Sequence, residues 1–317
     1  MSGPPTIGVD VGGTKIAAAV VDSDGSIVAR NQVPTESDDE TAIVGAIVKV
    51  AREMKAAAPA AAAIGVGAAA LVDHEAGVIL WAPNLSYKDL HLRALLQDRV
   101  GLPVAVDNDA NVAALAEALH GAGRGIAYQA TVTVGTGIGA GFVLEGRLYR
   151  GAHGLGGEPG HMILIPDGPL CACGNHGCWE AVASGRAIGR LARERIEGGA
   201  GADLLAAVGG DLEAITGEQV GEAAVAGSPF AQDVVASIGR LLGIGLANLV
   251  NLLDLETLVI GGGAAAGTGE LLLEPARNAM AAHIVGAARR KQVPVVPASL
   301  GNDAGVVGAA AMARELL

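Results

Sequence analysis

Val9-Asp10-Val11-Gly12-Gly13-Thr14 near the start of the chain and Val132-Thr133-Val134-Gly135-Thr136-Gly137 near its middle have one build, an apolar strand pattern running into a glycine turn. A second strand pattern follows each turn, from Ile16 to Asp22 in the first case and from Gly141 in the second. Strand, glycine turn, strand is a hairpin. That context excludes a Walker P-loop and a dinucleotide fingerprint, both of which need a helix after the glycines. The repetition predicts two similar α/β halves facing one another. Each half offers a glycine turn whose backbone amides can act as an anion nest, and two such turns across a cleft suit one phosphate chain.

Outward from the first hairpin, Asp24-Gly25 turns the chain into a further strand at Ile27-Val28. Ile43, Ile47, Val50 and Met54 stand at helical spacing within Asp38 to Lys55, and Ala62 to Val66 reads as a buried strand. Asp89 to Arg99 reads as a helix stopped by Gly101 and Pro103. Val104 to Val106 is a strand that leads into Asp107-Asn108-Asp109-Ala110-Asn111, with a helix-forming run from Val112 to His120. Asn108 and Asp109 therefore fall at a strand end and helix start, where functional groups collect in open α/β sheets. An aspartate there serves either as a general base or as a helix N-cap.

Beyond the second hairpin, Ala183 to Ile196 reads as helix and Gly198 to Gly210 as a polar break. Ser228-Pro229 caps a long helix to about Asn251. Thr257 to Ile260 is a strand ending in Gly261-Gly262-Gly263, then come a helix around 270–285, a strand at 293–296 and a last helix from near Asp303. No stretch is long enough to be a linker between independent modules.

All three cysteines fall in Cys171-Ala172-Cys173-Gly174-Asn175-His176-Gly177-Cys178-Trp179-Glu180, shortly after Gly157-Glu158-Pro159-Gly160-His161. Glycines let a short loop bring its sulfurs toward one point. Three thiolates need a fourth ligand to complete a tetrahedral zinc, and either His161 or His176 can supply it. A site closed by His176 is only a staple, whereas one closed by His161 holds Glu158 and Glu180 in one rigid neighbourhood. A disulfide framework would leave one cysteine over.

The 317 residues allow two domains with sizeable cores, and half of them are apolar. A net charge of −12 argues against a nucleic-acid partner, which needs a basic face to displace counterions. The most apolar run, Leu241 to Leu253, is too short to span a bilayer and reads as a buried helix. Met1-Ser2-Gly3-Pro4-Pro5 has no basic region or apolar core, so no signal peptide and no membrane partner are expected, and the chain is placed in the cytoplasm. With only Trp81 and Trp179 as tryptophans, polar ligands must be read by hydrogen bonds rather than stacking. The alanine-rich run from Ala56 to Ala70 is compositional bias.

Seven pieces now stand in one order: Asp10 to Lys15, Asn108-Asp109, Gly135-Thr136-Gly137, Glu158 to His161, Cys171 to Glu180, Gly261-Gly262-Gly263, and Gly301-Asn302-Asp303-Ala304-Gly305. In them the chain resembles, over nearly its whole length, the ROK family of sugar kinases, and within it the bacterial glucokinases. The resemblance implies an α/β, actin-like (ribonuclease H-like) two-domain sugar kinase fold with a cleft between the domains. It divides the chain into a small domain, 1–107 with 303–317, and a large one, 108–302, bearing the zinc loop.

The reaction implied is transfer of the γ-phosphoryl group of ATP to glucose, with magnesium, and with Asp109 as the base that takes the hydroxyl proton. Asn108, Asp109, Glu158, His161 and Glu180 would hold the sugar hydroxyls. Gly12, Gly13, Thr14 and Lys15, with Gly135, Thr136 and Gly137, would hold the phosphates, and Gly261, Gly262 and Gly263 the adenosine. Asp10 would orient magnesium through water. The resemblance gives the structural zinc to His161, Cys171, Cys173 and Cys178. It implies a homo-dimer or homo-tetramer. Relatives act on fructose, N-acetylmannosamine or allose, or use polyphosphate, and others are sugar-responsive repressors, which carry a helix-turn-helix ahead of the first hairpin.

Overall fold

The computed structural model describes residues 3–35, 39–82 and 88–317; Met1-Ser2 and the expected helix start at Asp38 lie outside them. The first hairpin is β1 (Thr6–Val11) and β2 (Lys15–Val21), continued by β3 (Ile27–Pro34). Helix α1 (Glu40–Ala57) follows, N-capped by Asp39, and leads to β4 (Ile64–Ala68). Three short strands, β5 (Leu71–Asp73), β6 (Val78–Trp81) and β7 (Lys88–Leu90), pair antiparallel as a separate small sheet. The helix expected from Asp89 therefore starts later, as α2 (Leu92–Val100), because Leu90 is paired to Ile79. Strand β8 (Val104–Asn108) then runs into α3 (Asp109–His120).

The second hairpin is β9 (Gln129–Val134) and β10 (Ile138–Leu144), with β11 (Arg147–Tyr149) beyond. The helical stretch read from Ala183 is two helices, α4 (Trp179–Ala183) and α5 (Gly185–Glu197), parted at Ser184, which caps α5. The polar break holds a short helix, α6 (Ala202–Ala207), and α7 (Gly217–Val225) follows with a Thr216/Gln219 capping box. The long helix is α8 (Pro229–Leu253). The chain ends with β12 (Thr257–Gly261), α9 (Gly263–Thr268), α10 (Glu270–His283), β13 (Val295–Pro297) and α11 (Ala304–Arg314).

The two main sheets repeat one topology, β3-β2-β1-β4-β8 and β11-β10-β9-β12-β13. In each, the first hairpin strand is parallel to the next inner strand, β1 to β4 and β9 to β12. The duplicated glycine hairpins are thus the seeds of two duplicated sheets.

By contacts the chain groups into two compact units, 1–127 with 141–157 and 299–317, and 128–140 with 158–298. Residues 108–127, 141–157 and 299–302 therefore group with the first unit, whereas the sequence reading drew its boundary after Asp107.

Within the first unit, alternation on β1 puts Ile7, Val9 and Val11 against Ile43, Ile47 and Val50 of α1. The other sheet face carries α3 and α11, packed through Val112, Leu115, Ala309 and Met312. There the backbones nearly touch: a Cβ on Gly65 would stand 1.8 Å from the Ala309 carbonyl. Part of the alanine- and glycine-rich run is therefore a packing requirement of α11 and not only bias.

Within the second unit, α8 is the central helix, and α4, α5, α7 and α10 pack on it. By length and composition alone it passes as a membrane span, but most of it is buried in the fold. Trp179 is fully buried against it and donates to the Leu241 carbonyl at 3.2 Å.

Candidate active site and metal centre

In the first unit the chemistry gathers at the ends of β1 and β8. Asn108 is the N-cap of α3: its Oδ1 accepts from the amides of Ala110 at 2.8 Å and Asn111 at 3.2 Å. Its Nδ2 donates to the Ala70 carbonyl at 3.1 Å, which leaves one amide hydrogen for a ligand. Asp109, the first helical residue, is half-buried, and burial raises its pKa, offset in part by the Ala110 amide. Asp10 lies near it. Burial first, and then the Asp109 charge, push Asp10 up to about 6, with Lys15 opposing. Two neighbouring carboxylates, one of them pushed up in part by the charge of the other, are a chemical fit for a divalent cation.

The turns are economical. The Gly12 amide donates to the Lys15 carbonyl at 3.0 Å, and the Gly135 amide to the Gly137 carbonyl at 3.0 Å. These two expected phosphate donors are spent in closing their own turns. Lys15 opens β2 with an exposed side chain.

In the second unit the ligand atoms of His161, Cys171, Cys173 and Cys178 all lie within 4.8 Å of one another. Cys171 Sγ is 3.7 Å from His161 Nδ1, and Cys173 Sγ is 3.6 Å from Cys178 Sγ. A 3-10 turn, Pro159–His161, presents the histidine. His176 stays outside the cluster, its Nδ1 3.0 Å from the Gly168 carbonyl. Burial and the neighbouring thiols push Cys178 up to about 12, and burial raises Cys171. The Asn175 backbone instead lowers Cys173. A cation among the sulfurs would hold all three as thiolates, and three sulfurs with one imidazole suit zinc.

Glu180 joins this centre to the second glycine turn. Its Oε2 accepts from the Ile138 amide at 2.9 Å, and its Oε1 is 3.7 Å from Cys171 Sγ. A Cβ on Gly137 would stand 2.2 Å from that Oε2, so only glycine leaves room for the carboxylate. Glu158, also in this unit, is exposed.

Beside Glu180 opens a cavity of about 940 Å³, walled by Gly135, Thr136, Ser184, Arg186, Thr216, Gly217, Gly263 and Gly267 among others. Of the glycine run expected at adenosine, Gly263 lines it; Gly261 and Gly262 are not among its walls. The contribution of α5, α7 and α9 was invisible to motif reading, since these residues share no local pattern. Three helix starts, at Gly185, Gly217 and Gly263, border the space, as an anionic ligand favours.

Duplicated sheets, a carboxylate pair at one strand end and a glycine-walled cavity at the other sheet are those of an actin-like sugar kinase fold. Similarity to known proteins narrows this. The ROK family model matches residues 6–316, and the chain belongs to that family. It is 43% identical over 312 residues to a glucokinase of Streptomyces coelicolor, covering 98% of both chains. Among solved structures, a ROK family glucokinase from Streptomyces griseus in complex with glucose and AMPPNP superposes with a TM-score of 0.87 at 42% identity, covering 98% of this chain and 99% of that one. A ROK hexokinase from Thermus thermophilus gives 0.81 at 36% identity, covering 98% of each.

Proposed function

We propose that this chain catalyses ATP-dependent phosphorylation of glucose to glucose 6-phosphate. The observation that carries the reading is the full-length likeness to glucokinases, one of them solved with glucose and an ATP analogue.

An alcohol is a poor nucleophile until its proton leaves. Asp109 takes that proton as the new oxygen–phosphorus bond forms and the bond to ADP breaks. Its raised pKa makes it a stronger base than a surface aspartate. Asn108 uses its remaining amide hydrogen on the sugar, Glu158 and Glu180 accept from sugar hydroxyls, and His161 donates the N–H of its other ring nitrogen to a sugar oxygen. A site built of such acceptors disfavours analogues that leave one unpaired.

Gly13, Thr14, Thr136 and Gly137 hold phosphate oxygens, with Gly12, Lys15 and Gly135 shaping the turns, and the Gly261 to Gly263 segment approaches adenosine. Magnesium, when bound, neutralises charge on the transferring phosphate. Asp10 would orient it. His161, Cys171, Cys173 and Cys178 would hold zinc, which would supply a structural bond that orients the His161 ring rather than activated water. We further infer a homo-oligomer, dimer or tetramer, acting in the cytoplasm.

The test is a coupled ADP-release assay with magnesium-ATP against hexoses and N-acetylhexosamines, run with and without polyphosphate. Fastest turnover on glucose with ATP supports the reading. Preference for another sugar or for polyphosphate corrects the substrate, and no turnover on any sugar rejects the reading.

A further inference from the structure

Behind Asn108 and Asp109 lies a buried ionic cluster that none of the roles above uses. Asp107, the residue before them, is 1% exposed. Its Oδ1 accepts from the Asn108 amide at 2.8 Å and from Asn111 Nδ2 at 2.9 Å. Its Oδ2 accepts from Arg150 Nε at 2.6 Å, and His74 Nδ1 lies 3.6 Å away. The same His74 nitrogen is 2.9 Å from the Val106 carbonyl. Arg150 in turn accepts at its own carbonyl from the Gly156 amide at 2.9 Å. Three segments of the first unit, the ends of β5, β8 and β11, therefore meet on one carboxylate.

Such a cluster is a poor device for stability alone. The desolvation of a buried ion pair offsets most of its attraction, and an apolar pair of the same shape would serve the fold as well. Arg150 Nη2 is moreover buried with no hydrogen-bond partner, a cost that a plain staple would avoid. What the pair supplies is direction. The planar guanidinium sets the orientation of the Asp107 carboxylate, whose other oxygen holds the Asn108 amide and the side chain of Asn111 in the first turn of α3.

We propose that Arg150 is a positioning residue for phosphoryl transfer: by holding Asp107 it fixes the backbone at Asn108, and with it the aim of the Asp109 carboxylate. This rests on the functional reading above. A base displaced by a fraction of an ångström keeps its substrate but loses its geometry.

The experiment compares the parent chain with Arg150→Met, Arg150→Lys and the double variant Asp107→Asn/Arg150→Met. Steady-state rates on glucose and magnesium-ATP, glucose binding by calorimetry and thermal melting are read for each. Arg150→Met is expected to lower kcat about thirtyfold while KM for ATP and the glucose Kd stay within about twofold. Arg150→Lys keeps a charge and a donor, and is expected to restore kcat to within about threefold of the parent. The double variant strands no buried charge, so it folds even where Arg150→Met does not, and it is expected to remain slow. A merely structural Arg150 would lower melting temperature and leave kcat of the folded fraction unchanged. A kcat within twofold of the parent in the folded double variant or in folded Arg150→Met overturns the proposal. A parent chain that phosphorylates no sugar overturns the functional reading, and this inference with it.

Discussion

Asn108 and Asp109 are adjacent and divide the work of a helix start between them. The asparagine satisfies the first amides of α3, so the aspartate beside it is not needed as the cap. Asp109→Asn is accordingly expected to lower kcat at least about a hundredfold while the glucose Kd, measured by calorimetry, changes little. Asp10 predicts a pH dependence. Its pKa is about 6 in the folded chain against an ordinary 3.8, so its contribution to stability is fully present below 3.8 and is lost as pH rises through 6. Above that range the metal-free protein carries an ionised, crowded carboxylate. Asp10→Asn should therefore melt a few degrees higher at pH 8, worth about 3 kcal/mol at most, with the gain gone at pH 4. Its kcat should fall. An unchanged melting point at pH 8 would remove the electrostatic argument.

At the scale of elements, the cysteine loop and the His161 turn form one centre, and His176 is a surface residue of the same loop. His161→Ala should lose bound zinc, measured by emission spectrometry, whereas His176→Ala should keep one zinc per chain. The reverse pattern would refute the ligand set. The centre was partly legible in the sequence, because cysteine spacing announces a metal, but both histidines suited that spacing; the family resemblance chose His161, and packing puts His161 in the cluster and His176 outside it. The glycine hairpins and the Asn108 junction were legible too, since turns and strand ends leave local marks. Asp89 read as a helix start because Leu92, Leu96 and Val100 carry the helical period, while pairing of Leu90 to Ile79 is a tertiary matter. The Asp107, Arg150 and His74 cluster was missed for the same reason: its members lie far apart in sequence.

For the whole molecule, repetition of one sheet topology has left the two units chemically unequal. Asp10 and Asp109 belong to the first, and every wall of the 940 Å³ cavity belongs to the second. Gly267 lines that cavity with open space before it. Gly267→Phe should therefore fill the pocket, raising KM for ATP about tenfold or more while leaving the glucose Kd unchanged. Equal losses for both substrates would mean that the cavity is not the nucleotide's.

Glu180 touches both the sulfur centre and the turn at Ile138. On the proposed reading, in which that turn holds phosphate and the sulfurs hold zinc, a carboxylate shared in this way would couple metal occupancy to nucleotide affinity, and such a coupling is reciprocal. Saturating ADP should slow the withdrawal of zinc by a chromogenic chelator severalfold, and stripped protein should bind ADP correspondingly more weakly; identical rates with and without ADP would dissolve the coupling. If that coupling holds, loss of the metal would weaken the hold on nucleotide, and bound nucleotide would slow loss of the metal.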